Sequence, residues 1–225
     1  MVKKLLIILF PLIILCGCTA TEPNDKYLVS LMGVEGSSAG VGLYYKYTDL
    51  ADASLPKSVS GKGESLFEAA ENINLFLDKM PALSHCEAVV LAEGIDKALF
   101  YETVYFCRKN ELPLKLRLAA AKDIKPIFAE ENTVSGVDVS GMLKLAYSTY
   151  GFGGHTALYE IETAINIGKD FALPYFEGGV ENLKLGGLGL YKNCTFVKKI
   201  GINESGTYAK DNNISGEKNF DRRGQ

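Results

Sequence analysis

Ser65-Leu-Phe-Glu-Ala-Ala-Glu-Asn-Ile-Asn-Leu-Phe-Leu-Asp-Lys-Met80, followed after Pro81 by Glu87-Ala-Val-Val-Leu-Ala92, decides how this chain folds. Ser65 and Glu68 have the spacing of a helix amino-terminal cap, and Leu66, Ala69, Ala70, Ile73, Phe76, Leu77 and Met80 recur at three- and four-residue steps. The spacing predicts a helix that Pro81 stops. The run 87–92 is short and almost wholly apolar, as expected of a strand covered on both faces. A helix feeding a doubly buried strand implies a sheet with helices packed against it.

The flanks extend that pattern. After Gly94, residues 95–110 return to helical spacing through Ile95, Leu99, Val104 and Cys107, and Leu112 to Ala121 reads as a further strand. Upstream, residues 27–35, 41–48 and 57–63 read as strands. The second of these places Val41, Leu43, Tyr45 and Tyr47 on one face. Downstream, helices are expected near 123–130, 139–150 and 155–168. Strands follow at Leu183 to Tyr191 and Phe196 to Ile200, joined by the tight turn Lys192-Asn193-Cys194. Residues 203–225 are Asn, Asp, Ser, Gly, Lys and Arg with scattered apolar positions, a composition expected to stay disordered. No fixed-period repeat is present. The fold class expected is α+β, a mixed β-sheet with helices packed on it, over residues 26–202.

The first eighteen residues have a different logic. Lys3 and Lys4 precede an apolar run from Leu5 to Leu15, and Leu15-Cys16-Gly17-Cys18 closes it. That is the layout of an export signal. The run is about half of the roughly 20 residues a membrane-crossing helix needs, and Pro11 interrupts it, so a permanent span is the weaker reading. Leu15, two small residues and a cysteine resemble the lipobox of bacterial lipoproteins. On this reading residues 1–17 are removed, and Cys18 becomes the amino terminus and carries the lipid. Residues 18–25 form a polar tether. The competing reading is an ordinary signal with a chance cysteine. A thiol at position 18 can be alkylated to a diacylglyceryl thioether, and two or three acyl chains hold a protein on a membrane where one chain binds only reversibly.

Charge and cysteine content narrow the function classes. Removing Lys3 and Lys4 from 24 basic residues leaves 22 against 27 acidic ones, a formal charge of −5, which disfavours a nucleic-acid surface. Beyond Cys18 only Cys86, Cys107 and Cys194 remain, an odd number at unrelated spacings, so neither a disulfide framework nor a zinc site is implied. His85-Cys86-Glu87 groups three reactive side chains, but neighbours at the start of a strand face alternate sides. His155 follows Gly151-Phe-Gly-Gly154 near a helix start, where amides receive anions, yet neither a Walker nor a dinucleotide pattern is present. Glu130-Glu131 and the pair Asp49 and Asp52 lack an identifiable acid–base partner. Asn193, Asn203 and Asn213 sit in sequons that carry no weight in a bacterium. The aromatics at 44, 45, 47, 101, 105 and 106 read as core and strand surface, with a sugar platform as the alternative. No catalytic, cofactor-binding or metal residues are assigned, and an extracytoplasmic hydrolase is disfavoured because no nucleophile, base and orienting group assemble.

The order of segments resembles a known family. The lipobox, Asn24-Asp-Lys-Tyr-Leu-Val-Ser-Leu-Met-Gly-Val-Glu35, Gly63-Glu-Ser-Leu-Phe-Glu-Ala-Ala70 and His85-Cys-Glu-Ala-Val-Val-Leu-Ala-Glu93 are similar to the Ger(x)C family, the lipoprotein C subunits of spore germinant receptors. Phe106-Cys-Arg-Lys-Asn-Glu-Leu-Pro-Leu114, Leu185-Gly-Gly-Leu-Gly-Leu-Tyr-Lys192 and Val197 to Ile200 extend the resemblance. The chain departs from the pattern where Thr19-Ala20 replaces the Trp-Asp pair common after the lipidated cysteine. It also ends in a polar tail where family members continue, so it resembles the N-terminal domain alone. The resemblance implies a non-enzymatic subunit on the outer face of the spore inner membrane, needing no cofactor. It would work with a membrane-embedded A-type subunit and a multi-pass B-type subunit. The alternative is a surface solute-binding lipoprotein that hands a small ligand to a transporter.

Overall fold

The computed structural model describes residues 25–37, 39–51, 55–150, 156–178 and 182–212. Its nine strands join one sheet. The strands are β1 (Lys26–Ser37), β2 (Gly40–Asp49), β3 (Lys57–Gly63), β4 (Met80–Ala82), β5 (Ala88–Ala92), β6 (Arg117–Ala121), β7 (Phe171–Glu177), β8 (Lys184–Lys192) and β9 (Thr195–Ile200). The helices are α1 (Leu66–Asn74), α2 (Lys97–Lys109), α3 (Gly136–Tyr150), α4 (Leu158–Asn166) and α5 (Ile202–Asp211). The sheet order is β3-β2-β1-β5-β6-β7-β8-β9, with the short β4 paired to β1 beside β5. β1, β5, β6 and β7 run parallel, and antiparallel strands flank them on both sides. The expected α+β class holds.

Helices cover both faces. Val41, Leu43, Tyr45 and Tyr47 of β2 enter one core with Val89 and Leu91 of β5, where α1, α2 and α4 contribute Leu66, Ile73, Leu99, Phe100 and Ile161. The alternate residues Ala88 and Val90 enter the opposite core with Val139 and Leu143 of α3. Strand β5 is thus buried on both sides, as its unbroken apolar run requires. Phe128 packs directly over Gly33 of β1, which has no side chain; a Cβ there would meet the ring at 2.4 Å.

Caps and turns follow the sequence closely. The Ser65 hydroxyl accepts from Glu68 N at 3.2 Å, and the Glu68 carboxylate accepts from Glu64 N. Asn193 and Cys194 both have positive φ, 50° and 64°, which gives the two-residue β8–β9 hairpin its twist. Ser30 forms a bulge in β1. Its hydroxyl accepts from Gly136 N at 3.1 Å and seats the start of α3, which Ser135 and Asp138 cap reciprocally.

The structure departs from the sequence expectations at five places. The first helix ends at Asn74, not Met80, because residues 80–82 leave to pair with β1. The strand expected over 112–121 begins only at Arg117, since Pro113 offers no amide and Leu116 N turns back to Pro113 O. Residues 123–130 form turns and no helix: Asp123 accepts from Lys125 N, and Pro126 interrupts the ladder. Strand β7 is additional. Pro174 lies inside it, and the ladder to β6 begins only after that residue, at Tyr175. Residues 203–211, expected to be disordered, lie in α5, whose Ser205 and Ala209 are buried, with Ala209 packed beside Leu188 of β8. Residues 213–225, the signal 1–17 and the tether up to residue 24 lie outside the described residues.

Candidate contact site at the carboxyl edge of the parallel strands

Because β1, β5, β6 and β7 run parallel, their carboxyl ends open on the same edge of the sheet, where α/β sheets commonly hold ligands. Each strand brings a charge there. Glu35 lies near the end of β1, Glu93 follows β5, Lys122 and Asp123 follow β6, and Glu177 ends β7. Strand β9, antiparallel to β8 and so running the same way as β7, finishes at this edge and adds Lys199. A cleft of about 410 Å³ is lined by Glu93, Lys122, Asp123, Tyr175, Glu177 and Lys199.

The cleft is electrostatically organised. The Tyr175 hydroxyl donates to the Glu93 carboxylate. Burial, and then that carboxylate, hold the phenol well above its ordinary pKa, so it stays a donor. Lys199 pairs with Glu177, and its ammonium sits 5.6 Å above the Tyr175 ring. Towards β1 a second cleft of about 360 Å³ opens between Glu35, Gly42 and Lys62. There the Tyr44 hydroxyl donates to Glu35 at 2.5 Å, and Lys125 lies 3.5 Å from the same carboxylate. An edge that mixes acids and lysines suits recognition of a polar partner surface or a zwitterionic small molecule. Among the described residues no three His, Cys, Asp or Glu side chains gather as metal ligands.

The residues singled out in the sequence fall elsewhere. Cys86 is buried while His85 and Glu87 are exposed, so the triplet is split across faces as alternation requires. Cys86, Cys107 and Cys194 are free buried thiols; burial pushes Cys86 up to about 12 and Cys107 well above its usual range. Asp49 pairs with Lys79 at 2.7 Å, and Glu130 and Glu131 are exposed. Tyr45, Tyr47 and Phe106 are core, Tyr44 is half-buried, and Tyr101 and Tyr105 are exposed, so the six form no single platform. Cys18, Asp52, the glycines at 151–154, His155 and Asn213 lie outside the described residues.

One feature gave no signal in sequence. Lys46, fully buried between Tyr45 and Tyr47, donates to the Asn132 carbonyl, and desolvation lowers its pKa to about 8.

Residues 19–178 match the family described as the spore germination protein N-terminal domain. No curated protein matches the sequence. Among solved structures, the crystal structure of the GerBC protein is similar, with a TM-score of 0.43 and 14% identity over 79% of this chain and 54% of that one. The chain therefore matches about half the length of that structure.

Proposed function

The chain belongs to the spore germination protein family, and from that premise we propose that it is a lipid-anchored, non-enzymatic C-type subunit of a spore germinant receptor. It acts in nutrient-triggered germination through contacts with membrane-embedded A- and B-type subunits. The observation that carries this reading is the family match, which begins directly after Cys18, the lipobox cysteine. The acyl chains on Cys18 hold the protein on the extracytoplasmic face of the membrane. No helix among the described residues is long and apolar enough to cross a membrane. The charged carboxyl edge supplies a surface suited to extramembrane loops of the partners.

Deletion of the gene tests the role: germination with at least one nutrient is lost while sporulation and lysozyme-triggered outgrowth persist. Normal germination with every nutrient would refute it. Affinity capture from spore inner membranes should bring down a multi-pass protein.

The mixed-charge cleft beside Tyr175 supports a second reading, a solute-binding lipoprotein that passes a small zwitterion to a transporter. A saturable rise in melting temperature with a single amino acid or similar solute would favour it.

A further inference from the structure

The edge of the sheet opposite the charged clefts carries large apolar side chains that are exposed. Strand pairing places the start of β1, the end of β2 and the starts of β3 and β4 at this end: Tyr27 faces Asp49, Tyr47 faces Lys57, and Lys26 faces Met80. The large apolar residues that project from these termini are not buried. Leu75 is 81% exposed, Phe76 78%, Leu55 68% and Met80 63%, and Leu50 is also exposed. Leu75 and Phe76 lie just beyond the last turn of α1, so no further helical turn folds them back onto the core.

The loop that carries them is held in place. The Tyr27 hydroxyl donates to Asp78 at 2.5 Å, and Lys79 pairs with Asp49 at 2.7 Å while lying 5.4 Å over the Tyr27 ring. Residues 75–80 are thereby tied to the first strand. Exposed apolar side chains gathered at one end of a scaffold mark an interaction surface.

The length of chain before the fold identifies the occupant. Seven residues, Thr19 to Asp25, separate Cys18 from Lys26. Fully extended, the eight steps from Cys18 to Lys26 reach no further than about 29 Å. If Cys18 is acylated as proposed above, this end of the sheet is kept within that distance of the bilayer. We propose that Leu50, Leu55, Leu75, Phe76 and Met80 form a membrane-docking face that inserts into the lipid interface beside the anchor. A second, weak apolar contact adds to acyl anchoring and also fixes orientation. The charged carboxyl edge then points away from the lipid.

The chain contains no tryptophan, so single reporters are clean. Full-length lipidated protein is reconstituted in phosphatidylglycerol vesicles with brominated acyl chains, and fatty-acid labelling of Cys18 is measured on the same samples. Phe76→Trp and Leu55→Trp should both be quenched by the brominated lipid. Ala39→Trp, at the exposed tip of the β1–β2 hairpin about 40 Å along the strand, should not be. Labelled protein in which Phe76→Trp and Leu55→Trp are quenched no more than Ala39→Trp overturns the docking face and leaves the anchor standing. Chain that takes up no fatty acid sinks the anchor, and with it the orientation argued here.

Discussion

The ammonium of Lys46 donates to the main-chain carbonyl of Asn132, 86 residues away, at a place in the sheet where water does not reach. The Asn132 side chain continues the network, donating to Pro126 O at 3.0 Å and accepting from Val134 N at 2.8 Å. A lysine on β2 thus fixes the loop that leads into α3.

That arrangement predicts an unusual pH profile. The folded pKa of about 8 lies below the ordinary 10.5, so between these values the unfolded chain holds a proton on this lysine that the folded one has released, and the contribution of Lys46 to stability rises with pH. Below pH 8 both states are protonated and the burial cost is borne in full. Above pH 10 the tyrosines act oppositely: Tyr27, Tyr44 and Tyr45 are raised in the fold, and the unfolded chain ionises first. The thiols oppose the lysine over the same range, because Cys86, Cys107 and Cys194 are raised in the fold and ionise first in the unfolded chain, so the lysine is read from the difference between wild type and Lys46→Met in urea titrations. Lys46→Met should be more stable at pH 7 by about 1–2 kcal/mol, and that advantage should shrink from pH 8 to 10. An advantage that does not change with pH would mean that the ammonium is not desolvated.

Two glycines of α3 should respond in opposite directions. A Cβ at Gly136 would sit 1.7 Å from the Ser30 carbonyl oxygen, whereas Gly141 has nothing within 4 Å. Gly136→Ala is expected to destabilise by about 2–3 kcal/mol, and Gly141→Ala to stabilise by about 0.5–1 kcal/mol. Equal melting temperatures for the two variants would contradict this seating of α3.

The three thiols should be inert in the native protein. At pH 8, iodoacetamide followed by peptide mapping should leave Cys86, Cys107 and Cys194 unmodified, and denaturation should expose all three. Rapid native alkylation of Cys86 would contradict its burial.

Charge reversal at the carboxyl edge should separate function from stability. Lys199→Glu breaks the pair with Glu177, a partly exposed contact worth about 1 kcal/mol or less, and places a third carboxylate beside Glu93. The melting curve should barely move, while nutrient-triggered germination slows. Unchanged germination would remove this edge from the contact surface.

Much of the sheet was legible because its pattern is local. The alternation of Val41, Leu43, Tyr45 and Tyr47, the apolar run 88–92 and the Ser65 cap each specify their element without help from distant residues. Strand β7 escaped because Pro174 breaks the strand signal, and its partner β6 lies some fifty residues upstream. Helix α5 escaped because it is anchored by small residues, Ser205 and Ala209, which carry little apolar signal. Lys46 reads as an outward polar position between two inward tyrosines, which is correct for the strand. Its burial comes from the α3 layer, which no local pattern announces. The carboxyl-edge cleft was hidden for the same reason as β7, since Tyr175 and Glu177 belong to that strand.

The strand order has a consequence for how the chain assembles. Once β3-β2-β1 is complete, each of the main later strands, β5 through β9, adds at a single advancing border, next to one that has already emerged. Growth is vectorial: none of these strands has to wait for a partner not yet made or not yet translocated. Apart from the outer side of β3, the advancing border is where unpaired amides lie, and the final one, β9, is studded with Lys198 and Lys199, which discourage a neighbouring chain from continuing the ladder.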